Sequence, residues 1–140
     1  MRIFLAGATG LIGSRLIPLM LAEGHVVAAM TRTQGKIDGL RAAGVTPVPC
    51  DLFDPKSLAA AVKDFRPDLV VHQVTDLPDE IGKLAEFLPR RYGHFYGPGT
   101  FYENAPPPAP RIQVDDAARR TMPFLAGPRG TFTITESDAP

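Results

Sequence analysis

The stretch Gly7–Gly13, GATGLIG, places three glycines at the spacing G-x-x-G-x-x-G near the start of the chain. The short apolar run Arg2–Gly7, RIFLAG, precedes it and is typical of a buried parallel strand. Apolar residues at helical spacing follow it and predict a helix from about Leu11 to Glu23. The glycines therefore lie in a turn that leads from a strand into a helix.

Each glycine of this turn has an expected role. Gly7 permits the tight turn off the strand, Gly10 lets a phosphate approach the backbone, and Gly13 lets the helix pack closely on the sheet. We expect the N–H groups of Gly10, Leu11 and Ile12 to be free, where the positive end of the helix dipole suits a pyrophosphate. The alternative is a glycine-rich turn that holds no ligand.

The first half of the chain alternates between strand and helix patterns. Short connections between these elements require the strands to run parallel, and right-handed crossovers then give an α/β fold with a Rossmann-like, doubly wound parallel sheet. Asp54 is predicted to cap the third helix, which has Pro55 at its first position. The predicted strands are Arg2–Gly7, His25–Thr31, Val45–Leu52 and Asp68–Val74, and the first two helices are Leu11–Glu23 and Ile37–Ala43.

The second half predicts fewer elements and an incomplete sheet. We expect a helix at Ile81–Leu88 to lead into a strand at Arg91–Tyr96 that lies beside the fourth strand. A helix at Asp115–Leu125 and a strand at Thr131–Thr135 follow. The proline-rich segment Ala105–Pro110 is either a semi-rigid linker or a disordered surface loop.

Composition narrows the class of protein. The chain has 140 residues, with 15 Lys and Arg against 15 Asp and Glu, and this balance argues against a dedicated nucleic-acid binder. Its single cysteine, Cys50, excludes an internal disulfide and fits a reducing compartment, and no Cys/His cluster suggests zinc. We find neither a signal peptide nor an apolar run long enough for a membrane helix, so we expect a cytoplasmic protein.

The end of the second strand bears on which dinucleotide would bind. A site for NAD usually has an acidic residue there, which binds the ribose 2′-hydroxyl. This chain instead has Thr31, Arg32 and Thr33, followed by Lys36. Arg32 can stack on an adenine and pair with a 2′-phosphate, and Lys36 adds charge, so the sequence favours NADP over NAD. The alternative is that Arg32 is an ordinary solvated charge.

Three segments of the first half resemble the extended short-chain dehydrogenases/reductases, the NAD-dependent epimerase/dehydratase family. They are FLAGATGLIGSRL, PVPCDLFDPKSL and PDLVVHQVTDLPD. The resemblance implies that Asp51, with Leu52, contacts the adenine amino group, and that His72, Gln73 and Val74 line the nicotinamide ribose. A packed, non-catalytic residue is the alternative for His72. The full set of cofactor-binding residues that we predict is Gly7, Thr9, Gly10, Leu11, Ile12, Gly13, Arg32, Asp51, Leu52, His72 and Gln73.

The second half resembles parts of the same family's substrate-binding region, in the right order but with shorter spacing. The matching segments are RRYGHFYGPGTFY, QVDDAARRTMPFL and GPRGTFTITESDAP. We therefore expect an internally shortened and C-terminally truncated family member. Residues 1–90 would form the dinucleotide-binding half and residues 91–140 a remnant of the substrate region, within one compact domain.

The family's catalytic motif, Tyr-x-x-x-Lys, has no match here. The last lysine, Lys83, precedes Tyr92, Tyr96 and Tyr102, so no catalytic residue is assigned. Two hypotheses remain. One is an NAD(P)-binding oxidoreductase of the epimerase/dehydratase family that prefers NADP and whose turnover is in doubt. The other is a non-catalytic dinucleotide-binding module, redox sensor or vestigial fragment. The substrate is unknown, no nucleic acid, membrane or metal is expected, and a homo-oligomer is left open.

Overall fold

A computed structural model of the chain describes residues 1–73, 90–92, 94–127, 132–134 and 136. The chain divides into two compact units, Met1–Val74 and Thr75–Pro140. The helix predicted at Ile81–Leu88 lies outside the described residues. The domain boundary predicted between residues 90 and 91 also stays a prediction.

The first unit is a four-stranded sheet in the order β3-β2-β1-β4, and all its strand pairs are parallel. This confirms the predicted α/β, Rossmann-like class as a partial sheet. A one-turn 3₁₀ helix, Gln34–Lys36, precedes α2. The elements are β1 Arg2–Ala6, α1 Gly13–Ala22, β2 Val26–Thr31, α2 Ile37–Ala42, β3 Thr46–Pro49, α3 Pro55–Phe65 and β4 Leu69–His72.

Alternate residues of the central strands build the core beside α3. The rings of Phe4 and Phe65 lie 6.4 Å apart between centroids, and Phe4 is fully buried. Cys50 is also buried and accepts a hydrogen bond from the Ser57 hydroxyl at 3.5 Å. The cluster consists of Phe4, Ala6, Ala28, Met30 and Cys50, with Val48, Leu52, Leu58, Ala61, Val62 and Phe65 packed against it.

Helix α3 begins as its sequence predicts. Asp54 has extended backbone, and its Oδ1 accepts hydrogen bonds from the N–H groups of Lys56 at 3.1 Å and Ser57 at 3.2 Å. These bonds satisfy two donors that the first helical turn leaves unpaired. Asp54 therefore fixes the start of the helix that covers the Phe4 side of the sheet.

We expect Asp54→Ala to lower the free energy of unfolding by about 1 kcal/mol, because it leaves those two N–H groups without their acceptor. Urea denaturation followed by circular dichroism measures the change. Asp64→Ala is the matched control, since Asp64 is exposed on the same helix and its loss should change stability by only about 0.5 kcal/mol or less. Equal losses in the two variants would contradict the capping role.

The second unit contains two pairs of parallel strands. Strand β5, Arg90–Tyr92, pairs with β8, Phe132–Ile134, and β6, His94–Tyr96, pairs with β7, Arg111–Gln113. The prediction of one strand at Arg91–Tyr96 beside the fourth strand is therefore wrong. The segment forms two short strands because each part finds its parallel partner later in the chain.

A helix follows β7 directly. Helix α4, Val114–Thr121, continues into a 3₁₀ turn at Met122–Leu125, which agrees with the helix predicted over this segment. Its N-cap is Gln113, whose side-chain oxygen accepts hydrogen bonds from the backbone N–H groups of Asp115 and Asp116. Within the proline-rich segment, Pro107 is buried, so that segment is not a freely exposed loop throughout.

Candidate dinucleotide site

The glycine loop makes a tight turn between β1 and α1. Gly7 has a φ of 80°, a backbone conformation that a residue with a Cβ adopts only with strain. The N–H of Gly10 donates a hydrogen bond of 3.0 Å to the carbonyl oxygen of Gly7. The expectation that this N–H is free is therefore wrong, because the turn itself uses it. The structure records no hydrogen-bond acceptor among the described residues for the N–H groups of Leu11 and Ile12.

The loop and the helix meet at Gly13, where α1 begins, two residues later than predicted. A Cβ added to Gly13 would lie 2.1 Å from the carbonyl oxygen of Gly7 and 2.9 Å from the Cα of Ala8. No side chain fits at that distance. This position therefore permits the close approach of helix to strand that the sequence predicts.

The glycine loop lies at the point where the order of the strands in the sheet reverses. The chain leaves the sheet at β3 on one edge and returns as β4 on the far side of β1. Since the strands are parallel, their carboxyl ends meet at one edge of the sheet. Ligands of open α/β sheets bind in the crevice outside these ends, next to such a reversal. The topology therefore brings together at this edge the loop after β1, Arg32 after β2, Asp51 after β3, and His72 and Gln73 at the end of β4.

The end of β2 has no carboxylate. The side chain of Thr31 is buried, and its hydroxyl oxygen accepts a hydrogen bond from the N–H of Thr33 at 3.2 Å. Arg32 and Lys36 are exposed, and neither forms an ion pair with any residue that the structure describes. An exposed cation, Arg32, thus directly follows β2, and a second one, Lys36, lies in the 3₁₀ helix that comes next.

A cavity of about 660 Å³ connects the loop to the following 3₁₀ turn and α2. Thr9 and Ser14 line it on one side and Lys36 on the other. Most of its remaining lining is apolar, and comes from Ala8, Ile17, Pro18, Leu21, Gly35, Gly39, Leu40 and Ala43. Thr9 of the glycine loop and Lys36 therefore line one open space.

Asp51 is exposed beyond β3, and its Oδ1 accepts a hydrogen bond from the N–H of Phe53 at 3.0 Å. The carboxylate thus orders the turn into α3 through one oxygen. Leu52 packs half-buried against the core. The predicted contact of Asp51 and Leu52 with an adenine stays a prediction.

His72 is half-buried beside the loop, since it pairs in register with Ala6, the last residue of β1. Its Nδ1 is buried and lacks a hydrogen-bond partner among the described residues. Burial lowers the pKa of the imidazole from its ordinary value of 6.5. The ring is therefore neutral at pH 7. Gln73 continues the strand pairing through its N–H, which donates to the carbonyl of Ala6 at 2.9 Å.

The second unit holds a polar cluster that the sequence analysis missed. The hydroxyl of Tyr96 donates a hydrogen bond to the Glu136 carboxylate, and the Nε of Arg111 donates to the same carboxylate at 3.2 Å. These residues come from three distant segments, so no local spacing indicates their meeting. Within the described residues, no group of three or more His, Cys, Asp or Glu side chains is placed to hold a metal ion.

Comparisons with known proteins bear on the family of this chain. The model of the NAD dependent epimerase/dehydratase family matches residues 3–92. A 3-diazoavenalumate denitrifying reductase of a Streptomyces species is 41% identical over 78 residues, which are 55% of this chain and 24% of that protein. An ATP-dependent (S)-NAD(P)H-hydrate dehydratase of Ciona intestinalis is 30% identical over 84 residues, 60% of this chain and 23% of that protein. The chain thus spans about a quarter of the length of these relatives.

Solved structures share the fold over nearly the whole chain. The UDP-glucose 4-epimerase of Thermus thermophilus superposes with a TM-score of 0.72 at 16% identity, over 96% of this chain and 78% of that one. The apo form of a protein called AtPrR2 gives a TM-score of 0.63 at 20% identity, over 98% and 71%. Every helix in the described part of the chain is too short or too polar to cross a membrane. Together with the glycine loop and the parallel sheet, the family match shows that this chain belongs to the NAD dependent epimerase/dehydratase family.

Proposed function

We propose that the protein binds a nicotinamide dinucleotide, with the pyrophosphate at the N-terminus of α1. The observation that carries this proposal is the loop Gly7–Gly13 at the sheet reversal, where the N–H groups of Leu11 and Ile12 have no acceptor among the described residues. Unpaired N–H groups at the positive end of a helix dipole attract a phosphate. The Thermus thermophilus epimerase, whose fold this chain shares, was solved with NAD, which supports the same choice of ligand.

NADP is the form that we propose binds more tightly. Arg32 and Lys36 are exposed cations without an ion-pair partner in the described part of the chain, and Lys36 shares a cavity with Thr9 of the glycine loop. A 2′-phosphate would supply the missing negative charge and accept hydrogen bonds from the guanidinium fork of Arg32. Thr31 would not bind a ribose hydroxyl, since its side chain is buried.

The chemistry of the site is left without an assigned proton donor. A nicotinamide, when bound, would give or accept a hydride, and the chain's own residues would have to move the accompanying proton. His72 is neutral at pH 7 and lies at the sheet edge, so its proposed role is to line the ribose rather than to act as an acid. Because the sequence has no Tyr-x-x-x-Lys, we propose dinucleotide binding as the function, with a non-catalytic module or redox sensor as the second candidate.

Calorimetric titration with NADPH and NADH tests this proposal. We expect NADPH to bind more tightly, and Arg32→Ala to weaken NADPH binding about tenfold or more, since a charge-assisted hydrogen bond contributes about 1.5–3 kcal/mol. NADH binding should be nearly unchanged in this variant. Arg41→Ala is the matched control, because Arg41 is exposed on α2 and pairs with Asp38 at 2.9 Å.

Three outcomes separate the parts of the proposal. Failure of both nucleotides to bind at millimolar concentration would overturn dinucleotide binding altogether. Equal NADPH affinity in Arg32→Ala and the unmodified protein would refute only the preference for NADP. Binding without oxidation or reduction of a panel of carbonyl compounds and sugar nucleotides would favour the non-catalytic module.

A further inference from the structure

Three segments of the second unit meet at the Tyr96–Arg111–Glu136 cluster. Strands β6 and β7 run parallel with His94 opposite Arg111 and Tyr96 opposite Gln113. The period of two along a strand therefore places Arg111, Gln113 and Tyr96 on one face of this pair. Ile112, on the other face, is fully buried. The strand pair thus presents a polar face that is anchored by an apolar one.

Both oxygens of the Glu136 carboxylate are engaged on this face. Oε1 accepts from the Tyr96 hydroxyl, and Oε2 accepts from the Nε of Arg111 at 3.2 Å. The backbone N–H of Glu136 also donates to the carbonyl of Arg111 at 2.8 Å. One phenol and one guanidinium therefore converge on the two oxygens of a single planar anion.

Contacts that do not involve Glu136 hold the side chain of Arg111 and the backbone of Tyr96. A terminal nitrogen of Arg111, Nη1, donates to the carbonyl of Pro107 at 3.1 Å, and Pro107 is buried. Tyr96 ends β6, whose ladder to β7 fixes its backbone. Without the Glu136 side chain, the guanidinium would keep its bond to Pro107 and Tyr96 would stay on the same face of β6, which favours a preorganised site.

We propose that Tyr96 and Arg111 form a binding site for the carboxylate of a small organic acid, and that Glu136 fills this site as an internal stand-in until such an acid displaces it. The site belongs to the second unit and does not depend on the dinucleotide proposal.

The site suits a carboxylate better than a phosphate. The Tyr96 hydroxyl and the Arg111 Nε each donate to a different oxygen of one planar monoanion. Asp116 lies near enough to contribute an unfavourable charge at Tyr96, and this charge would repel a phosphate dianion more strongly than a carboxylate. The Arg111 and Glu136 side chains are 39% and 26% exposed, so a ligand from solvent can reach them. An ion pair at this exposure adds little stability by itself.

The ionisation of the cluster keeps Glu136 in place near neutral pH. The hydrogen bond from Tyr96, and then that from Arg111, hold the pKa of Glu136 below its ordinary value of 4.5. The same contact raises the pKa of Tyr96 above its ordinary value of 10.0. The contact is therefore fully formed between pH 4.5 and pH 10.0. It is lost in acid as Glu136 becomes protonated, and in alkali as Tyr96 loses its proton.

Because Glu136 belongs to the same chain, a free acid must compete with its high local concentration. A group on the same chain acts at a local concentration on the order of millimolar. The unmodified protein should therefore bind a simple acid such as acetate only weakly, and removal of the Glu136 carboxylate should expose the full affinity of the pair.

Titration of acetate and succinate, with inorganic phosphate as the second probe, tests this inference without nucleotide present. We expect Glu136→Ala to bind the carboxylates about tenfold or more tightly than the unmodified protein does, and more tightly than it binds phosphate. Glu103→Ala is the matched control, since Glu103 is an exposed glutamate of the same unit. In the Glu136→Ala background, Tyr96→Phe and Arg111→Met should each abolish the gain.

Other results would overturn the inference. Carboxylate affinities in Glu136→Ala that equal those of Glu103→Ala would show that the cluster is only a structural contact. Tighter binding of phosphate would refute the carboxylate class. If Glu136→Ala fails to fold, ¹³C NMR of the Glu136 carboxyl and the Tyr96 phenol in the unmodified protein tests whether acetate displaces Glu136. A large excess of acetate should shift the Glu136 signal toward that of a free glutamate, and an unchanged signal would reject displacement.

Discussion

Replacement of Gly13 by alanine is expected to lower the free energy of unfolding of the first unit by about 3 kcal/mol. Glycine to alanine inside a helix ordinarily adds about 1 kcal/mol of stability, so the expected change has the opposite sign. The reason is the 2.1 Å that would separate the new Cβ from the carbonyl oxygen of Gly7. Both neighbouring groups are backbone atoms, Gly7 and Ala8, and neither can move aside without opening the turn.

Gly39→Ala provides the matched control for this prediction. Gly39 lies on α2, and a Cβ added there would meet no atom within 4 Å. We expect this variant to gain about 0.5–1 kcal/mol. Urea denaturation followed by circular dichroism compares the two, and stabilisation of both variants would contradict the close approach at Gly13. Because Gly13→Ala also disturbs the N-terminus of α1, it should weaken nucleotide binding as well.

Phe4→Ala is expected to cost about 3–5 kcal/mol of the stability of the first unit. Phe4 is fully buried on β1, between β2 and β4, and its ring packs against the ring of Phe65 on α3. The substitution removes most of a large apolar side chain and leaves a cavity that the central strand cannot close. A loss of this size is a large fraction of the net stability of an ordinary domain.

The same substitution at an exposed phenylalanine is the control, because it removes the same atoms without removing a buried side chain. Phe53 lies in the turn before α3 and is 44% exposed, so Phe53→Ala should cost about 1 kcal/mol or less. Hydrogen exchange of the β1 amides measures the loss in the first unit directly. Similar losses in the Phe4 and Phe53 variants would show that the centre of the core lies elsewhere.

The sequence predicts the first unit well because its signals are local. Hydrophobic runs, the helix cap at Asp54 and short connections determine strand, helix and parallel order without any distant contact. The second unit shows the limit of this reasoning. Segment Arg91–Tyr96 has the pattern of a strand, yet it divides between partners at Arg111–Gln113 and Phe132–Ile134. A local pattern indicates that a segment is a strand but does not choose its partner.

The features of the candidate site also differ in whether the sequence predicts them. The glycine loop is recognisable because turn, phosphate approach and helix packing each require glycine at a fixed spacing. The hydrogen bond of the Gly10 N–H inside the turn could not be predicted from the sequence, since it depends on the orientation that the chain takes after Gly7. The Tyr96–Arg111–Glu136 cluster leaves no sequence signal, because its side chains meet only through strand pairing and a later segment.

The reactivity of the Cys50 thiol can report transient unfolding of the first unit. Cys50 is the single thiol of the chain, and it lies among core residues beside α3 with only 6% of its surface exposed. A thiol reagent can reach its sulfur only when the strands and α3 separate. The rate of alkylation therefore follows the transient unfolding of the first unit alone, and a bound nucleotide should slow that rate in proportion to its occupancy.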